Sequence, residues 1–312
     1  MKPFFKFIVS LIVLIVCCAI ADCIIGVALD KMIDKVPNDG SEIGTSIYAI
    51  NRMDDPVVIV GSSRASNHYY PSIIADSLSL DTYNIGRQGH YISYQCCLIN
   101  LILDRYVPDI LIWEISMDSL LSDAYDGVDD LKIYYWDNSI IRKVIDDKEG
   151  IVSRIKLLSN AYQYNGIAID VLYKFIKSGP NNDPRKGMVP NKEKGFHVDP
   201  QLTYDPGLDG YVDQTRVNIL QSTLRRLIDS GVKVFVFDSP QYALLSSNRN
   251  LSSESIIRTE CLHLGIPIFD SRNMDFFMGH PEMFRDKIHL YEDGAELYSK
   301  MAAHQIVLEL NK

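Results

Sequence analysis

The chain has 312 residues, of which 47% are hydrophobic and 23% charged, with a formal net charge of -9 and a pI near 5.3. That length is ample for one large core, and an acidic chain whose 31 Lys and Arg form no basic stripe argues against nucleic acid as a partner. Metal-ligand spacings are also missing: there is no Cys-x-x-Cys pair, no His-Glu-x-x-His, and the 7 histidines are dispersed, so neither a metal nor another cofactor is expected.

In chain order, Lys2 and Lys6 precede an apolar run from Phe7 to Ala21, which resumes after Asp22 and continues through Leu29. Read as one helix, Phe4 to Leu29 is long enough to cross a bilayer, since about 20 residues suffice. The flanking lysines would then remain cytoplasmic and the rest of the chain would face the periplasm or cell exterior. The alternative is a cleaved signal peptide and a secreted protein, because Ala19-Ile20-Ala21 has a small-x-small cleavage pattern. Residues 1–29 are therefore an anchor or signal segment, 30–54 a polar stem, and 55–312 the main domain. Cys17, Cys18 and Cys23 lie in the apolar segment, and Cys96, Cys97 and Cys261 in the domain. An odd number there implies no disulfide framework.

Within the domain, strands are predicted at Pro56 to Val60 and Thr82 to Ile85. A helix follows over Tyr91 to Tyr106, with Ile92, Cys96, Ile99 and Leu103 at helical spacing. After Pro108, Asp109 to Ile115 is apolar enough for a central parallel strand. Residues 117–210 read as a tyrosine-rich insertion, with helices near Ser139 to Ile145 and Ile151 to Ile176 and a Gly, Pro, Asn and Lys-rich loop from Ser178 to Pro200. The core pattern then returns: an amphipathic helix over Val212 to Ser230, a stop at Gly231, and a strand over Val232 to Phe237. A helix over Ser253 to Leu264, a strand over Ile266 to Phe269 and a final helix over Leu290 to Leu310 complete the chain. Strands alternating with helices indicate an α/β sandwich around a mostly parallel sheet.

Two segments carry candidate chemistry. Val57 to Arg64 is an apolar strand opening onto Gly61-Ser62-Ser63-Arg64, and Arg285 to Leu290 places Asp286 three residues before His289. In an open parallel sheet ligands bind beyond the carboxyl ends of the strands, which is where Ser63 falls. The parts of a serine nucleophile, its base and the base's orienter are thus present. Arg64 and Ala65 after the serine depart from the G-x-S-x-G elbow.

With Gly61-Ser62-Ser63, then Asn84-Ile85-Gly86-Arg87-Gln88-Gly89, then Asp286-x-x-His289, the chain resembles the SGNH (GDSL-type) hydrolase superfamily over residues 55–116 and 212–310, and in particular its divergent membrane-anchored Gly-Ser-Ser members. The resemblance implies a flavodoxin-like three-layer α/β/α sandwich. It also implies Ser63 as nucleophile, His289 as base and Asp286 as its orienter, with the backbone N–H groups of Ser63 and Gly89 forming an oxyanion hole. Gly86 competes with Gly89 for that role. The family's third block supplies an Asn oxyanion donor, whereas here the stretch reads Glu114-Ile115-Ser116-Met117-Asp118. Losing such a donor typically costs about 100- to 1000-fold in rate. Asn67 and Arg64 are candidate replacements, and Arg64, Asn67, His90 and Glu114 are candidate pocket residues; Arg64 could equally form an ion pair with Glu114.

The resulting expectation is an exported, membrane-tethered serine esterase or O-acyltransferase. Its substrate would be an acylated carbohydrate or small ester, with O-acetyl groups of cell-envelope glycans preferred. The alternative is a catalytically weak or inactive accessory protein of the same fold that binds glycan or a membrane-enzyme partner.

Overall fold

Apolar runs too short for helices and flanked by turn residues form the sheet. In a computed structural model the described residues are 3–122, 126–177, 179, 181–192, 204–205, 210–242, 244–245 and 251–312. They divide into two units, Met1–Pro37 with Val128–Pro180, and Asn38–Gly127 with Asn181–Lys312.

The second unit holds strands β1 (Val57–Val60), β2 (Thr82–Asn84), β3 (Ile110–Glu114), β4 (Tyr204–Asp205), β5 (Lys233–Asp238), β6 (Leu244–Leu245) and β7 (Ile268–Asp270). Five form one sheet in the order β2-β1-β3-β5-β7, every pair parallel, while β4 and β6 pair separately. Counting only strands of the large sheet, the order is 2-1-3-4-5, a doubly wound arrangement. β1, β3 and β5 are apolar on both faces because both faces are covered. Alternate residues Val57, Ile59, Ile110, Ile112, Phe235 and Phe237 pack with Ile74 of the Pro71–Leu78 helix and with Tyr298, Ala302 and Ile306 of the Glu292–Leu310 helix. Each such buried side chain contributes about 1.5–3 kcal/mol of transfer free energy. On the opposite face the indole N–H of Trp113 donates to Gln95 Oε1 of the Ile92–Leu103 helix at 2.8 Å. That helix is tied in turn to the Gln214–Asp229 helix by Asn100 Nδ2 donating to Thr223 Oγ1 at 2.9 Å. The chain leaves β1 for β2 on one side and returns to β3 on the other, so the carboxyl ends of β1 and β3 border the topological switch point.

The first unit contains the helix Pro3–Ile33, apolar and long enough to cross a membrane, with a mean hydropathy of 3.0 in its most apolar stretch. The polar interruption at Asp22 has a structural use. Its carboxylate accepts hydrogen bonds from Ser159 Oγ at 2.7 Å, Asn160 N at 2.8 Å and Ala161 N at 3.0 Å. The expected helix over Ile151 to Ile176 is therefore three helices, Ile151–Lys156, Asn160–Gln163 and Ala168–Ile176. The N–H groups of Asn160 and Ala161, which a continuous helix would spend on carbonyls four residues back, go to Asp22 instead. The Leu157 carbonyl accepts from Trp136 Nε1 and Gln163 Nε2, both at 2.9 Å.

The segment boundaries also differ from expectation. Residues 30–54 do not form a stem: the first helix runs on to Ile33, and Glu42–Asn51 is a helix that buries Ile43, Ile47 and Ile50 in the second unit. The second unit accordingly begins at Asn38, and the insertion that separates into its own unit is Val128–Pro180 rather than 117–210. Much of the expected Ser178 to Pro200 loop, with His197, lies outside the described residues.

Candidate active site

β1 ends at Val60, and after Gly61 and Ser62 the chain turns into the short helix Ser63–His68. Ser63 is its first residue, so its backbone N–H has no intrahelical acceptor. Its side chain is half-buried and faces His289, with Nε2 to Ser63 Oγ at 2.7 Å. His289 Nδ1 lies 2.8 Å from Asp286 Oδ2 and 3.0 Å from Oδ1. Asp286 is held by its own loop, because Oδ1 accepts the backbone N–H groups of Ile288 at 3.0 Å and His289 at 2.9 Å. Burial raises the carboxyl's pKa, but the hydrogen bond and charge of His289 and these two N–H groups outweigh it and hold Asp286 below its usual 3.8. An ionised Asp286 at Nδ1 favours the tautomer with its proton there and leaves Nε2 to accept from Ser63. Chemically this arrangement can deprotonate a serine as it attacks a carbonyl.

The two candidate glycines differ sharply. Gly86 N donates to Asn84 Oδ1 at 2.9 Å, and a Cβ on Gly86 would lie 2.5 Å from Ser66 N, so its role is close packing of the loop after β2 on the Ser63–His68 helix. Gly89 is exposed in a turn at φ +68°, with nothing within 4 Å of where a Cβ would stand. Among the described residues no acceptor is paired with the Gly89 N–H.

The four candidate pocket residues are buried, and each is hydrogen-bonded within the second unit. Arg64 is buried, with Nη1 2.5 Å from Asp238 Oδ1 and 3.1 Å from Glu114 Oε1. Burial opposes its charge, but the Glu114 and Asp238 carboxylates more than compensate and raise its pKa. That engagement turns Nη1 toward carboxylates. Glu114 is 1% exposed. It accepts from Tyr69 OH, and from Ser239 N at 3.1 Å and Ser239 Oγ at 3.1 Å. Burial, then the Glu114 charge, pushes the Tyr69 phenol well above its ordinary value, so it stays protonated and donates to Glu114. Asn67 is buried and its Nδ2 donates to Val189 O at 2.6 Å. His90 is also buried, with Nδ1 2.7 Å from Gln88 O and its ring edge-on to Tyr94. In each case burial beside the second unit's own polar groups has supplied the partner that a ligand would otherwise provide.

His68 is a site residue that the sequence motifs do not mark. It is fully buried, its Nε2 accepts from Leu290 N at 2.9 Å, and its Nδ1 lies 2.7 Å from Ser239 Oγ. An Nε2 that accepts carries no proton, so Nδ1–H donates to Ser239, which donates to Glu114 Oε1. This chain ties the residue next to His289 to the carboxyl end of β3. Burial, the neighbouring His289 ring and the Arg64 charge hold the His68 pKa well below 6.5, keeping the ring neutral. His280 caps its own helix through Phe276 O at 2.7 Å, and His263 is exposed. Among the described residues no group of three or more His, Cys, Asp or Glu converges as a metal-ligand set.

No family model matches the chain, and no curated protein matches it. Among solved structures it is similar to LAE5, described as an alpha/beta hydrolase enzyme from the metagenome of Lake Arreo, Spain, at 12% identity and a TM-score of 0.39, covering 80% of this chain and 94% of that one. It is also similar to an acetyl xylan esterase, AlAXEase, at 13% identity and a TM-score of 0.38, covering 80% of this chain and 98% of that one. At such low identity and TM-score these likenesses assign neither family nor activity.

Proposed function

We propose that this chain is a serine esterase or O-acyltransferase of the SGNH type, tethered by its N-terminal helix and acting outside the cytoplasmic membrane. One observation carries the reading: Ser63 Oγ lies 2.7 Å from His289 Nε2 while Asp286 engages Nδ1 of the same ring. Ser63 Oγ attacks the ester carbonyl carbon and its proton passes to His289 Nε2. Asp286 stabilises the imidazolium that results. The negative oxygen is held by the N–H groups of Ser63 and Gly89, neither of which has another acceptor among the described residues. Collapse breaks the carbonyl–alkoxy bond, His289 returns the proton to the leaving hydroxyl, and the acyl group stays on Ser63. Water, or a second hydroxyl, then attacks the acyl-serine with His289 again as base; the acyl–Oγ bond breaks, Ser63 Oγ takes the proton back from His289, and the acid or new ester leaves. The preferred substrate class is O-acetyl on an envelope glycan, in keeping with the resemblance to membrane-anchored SGNH members.

The competing reading is an inactive accessory protein that binds glycan or a membrane enzyme. Its support is that Arg64 and Asn67, the two candidate substitutes for the missing Asn, are both engaged elsewhere. A fluorophosphonate probe separates the readings. Labelling of the full chain that disappears in Ser63→Ala, with turnover of p-nitrophenyl acetate lowered by roughly three or more orders of magnitude, is the expected result. Unlabelled wild type, or unchanged turnover in Ser63→Ala, leaves the accessory reading.

A further inference from the structure

The first unit turns two apolar stripes outward. On the Ile151–Lys156 helix and just beyond it, Ile151, Val152, Ile155 and Leu158 are 54 to 72% exposed, while Ser153 and Leu157 face inward. On the Ala168–Ile176 helix, Ile169, Leu172, Tyr173 and Ile176 recur at helical spacing and are also exposed, while Val171 is buried. A globular unit ordinarily turns such stripes toward its core, and an outward stripe marks a contact with an apolar phase or partner.

Within the same unit these stripes are joined to the long apolar helix. Ser159, Asn160 and Ala161, which directly follow the first stripe, are the residues whose donors Asp22 binds. The phenol of Tyr164, between the two stripes, donates to Asp30. From Phe4 to Asp22 a helix rises about 27 Å at 1.5 Å per residue, close to the ~30 Å of a bilayer's hydrocarbon core. Asp22 and the segment it binds thus fall at the membrane boundary, where a carboxylate with several donors is tolerated. Trp136, half in solvent, donates its indole N–H to Leu157 O beside the first stripe, as interfacial tryptophans do. Arg154, Lys156, Lys174 and Lys177 are interleaved with the apolar side chains, which is the composition of a helix lying at a phosphate-bearing surface.

We propose that the two stripes dip into the lipid interface of the same membrane that Pro3–Ile33 crosses, so that the first unit is an interfacial platform as well as an anchor. This goes beyond the esterase reading and is independent of it, but it rests on the helix being membrane-spanning. The test uses the full chain reconstituted in phosphatidylcholine vesicles containing a phosphatidylcholine with a diazirine in its acyl chain. After photolysis, lipid adducts are mapped by peptide mass spectrometry. Adducts are expected on the 3–33 peptides and also on those spanning 151–158 and 169–176. Ile155→Asp and Ile169→Asp should each lower the adduct yield at their own stripe about tenfold, the change that withdrawing one Ile side chain from an apolar phase gives. Adducts confined to 3–33 overturn the platform and leave the spanning helix standing, whereas no adducts in either region overturn both. Photo-crosslinks from the stripes to a second protein chain in place of lipid also overturn the platform.

Discussion

His68→Ala removes the acceptor of the Leu290 N–H and the donor to Ser239 Oγ, leaving the side chains of Ser63, His289 and Asp286 unaltered. Leu290 is fully buried, so its orphaned N–H costs about 1–3 kcal/mol, and the lost bond to Ser239 adds about 0.5–1.5 kcal/mol. A total of about 2–4 kcal/mol corresponds to a fall in Tm of roughly 5–15 °C for a unit of this size. Because Leu290 follows His289 directly, loosening it displaces the base and lowers turnover by about 10- to 100-fold, less than loss of the serine does. His68→Gln, whose Oε1 can accept from Leu290, recovers part of both. The pH dependence gives an independent readout. His68 has a folded pKa well below 6.5, so the unfolded chain binds a proton that the folded chain does not. Its contribution to stability is complete above pH 6.5 and is lost as pH falls below it, by up to about 1.4 kcal/mol per unit. His68→Gln lacks that slope. Thermal scans of the detergent-solubilised chain between pH 5 and 8, with p-nitrophenyl acetate turnover, measure both effects. An unchanged Tm in His68→Ala refutes the positioning role. Turnover as low as in Ser63→Ala with an unchanged Tm would instead make His68 a group that acts on the reacting atoms.

Two further substitutions follow from the same geometry. Arg64→Met strips the cation from between Glu114 and Asp238 and should destabilise the chain by about 3–5 kcal/mol, read as a collapse of soluble yield or Tm; a folded, stable variant with lost activity would restore Arg64 as a substrate contact. Gly86→Ala drives a Cβ to within 2.5 Å of Ser66 N and should abolish folding, whereas Gly89→Ala meets no atom and should cost about 1 kcal/mol of backbone strain while lowering turnover. Comparable stability of the two glycine variants by thermal scan would contradict the packing argument.

Much of the sheet was legible because its cause is local. Val57 to Val60, Ile110 to Glu114 and Val232 to Phe237 are short apolar runs bounded by Pro, Gly or polar turns, and they become β1, β3 and most of β5. The amphipathic spacing of Val217, Leu220, Leu224 and Leu227 likewise marks the Gln214–Asp229 helix. Asp286 and His289 could be paired on paper because only two residues separate them and their contact is made within one loop. The Glu42–Asn51 helix escaped notice because its first turn is polar and short, and its apolar face is decided by what it packs against.

What the sequence by itself determined was the alternation of strand and helix, the delivery of a serine to the end of β1, and an apolar first segment. The tertiary structure alone decided which polar residues face one another. Ser63 meets His289 across 226 positions, Arg64 meets Asp238 across 174, and His68 meets Leu290 across 222. No periodicity records such pairs, because burial forces each polar group onto whatever partner the fold brings near. That is why Arg64, Asn67, His90 and Glu114 read as a pocket in sequence and stand as internal struts in the fold. Asp22 illustrates the same rule: in sequence it interrupts an apolar run, and in the structure its hydrogen bonds divide the insertion's helices and join them to that run.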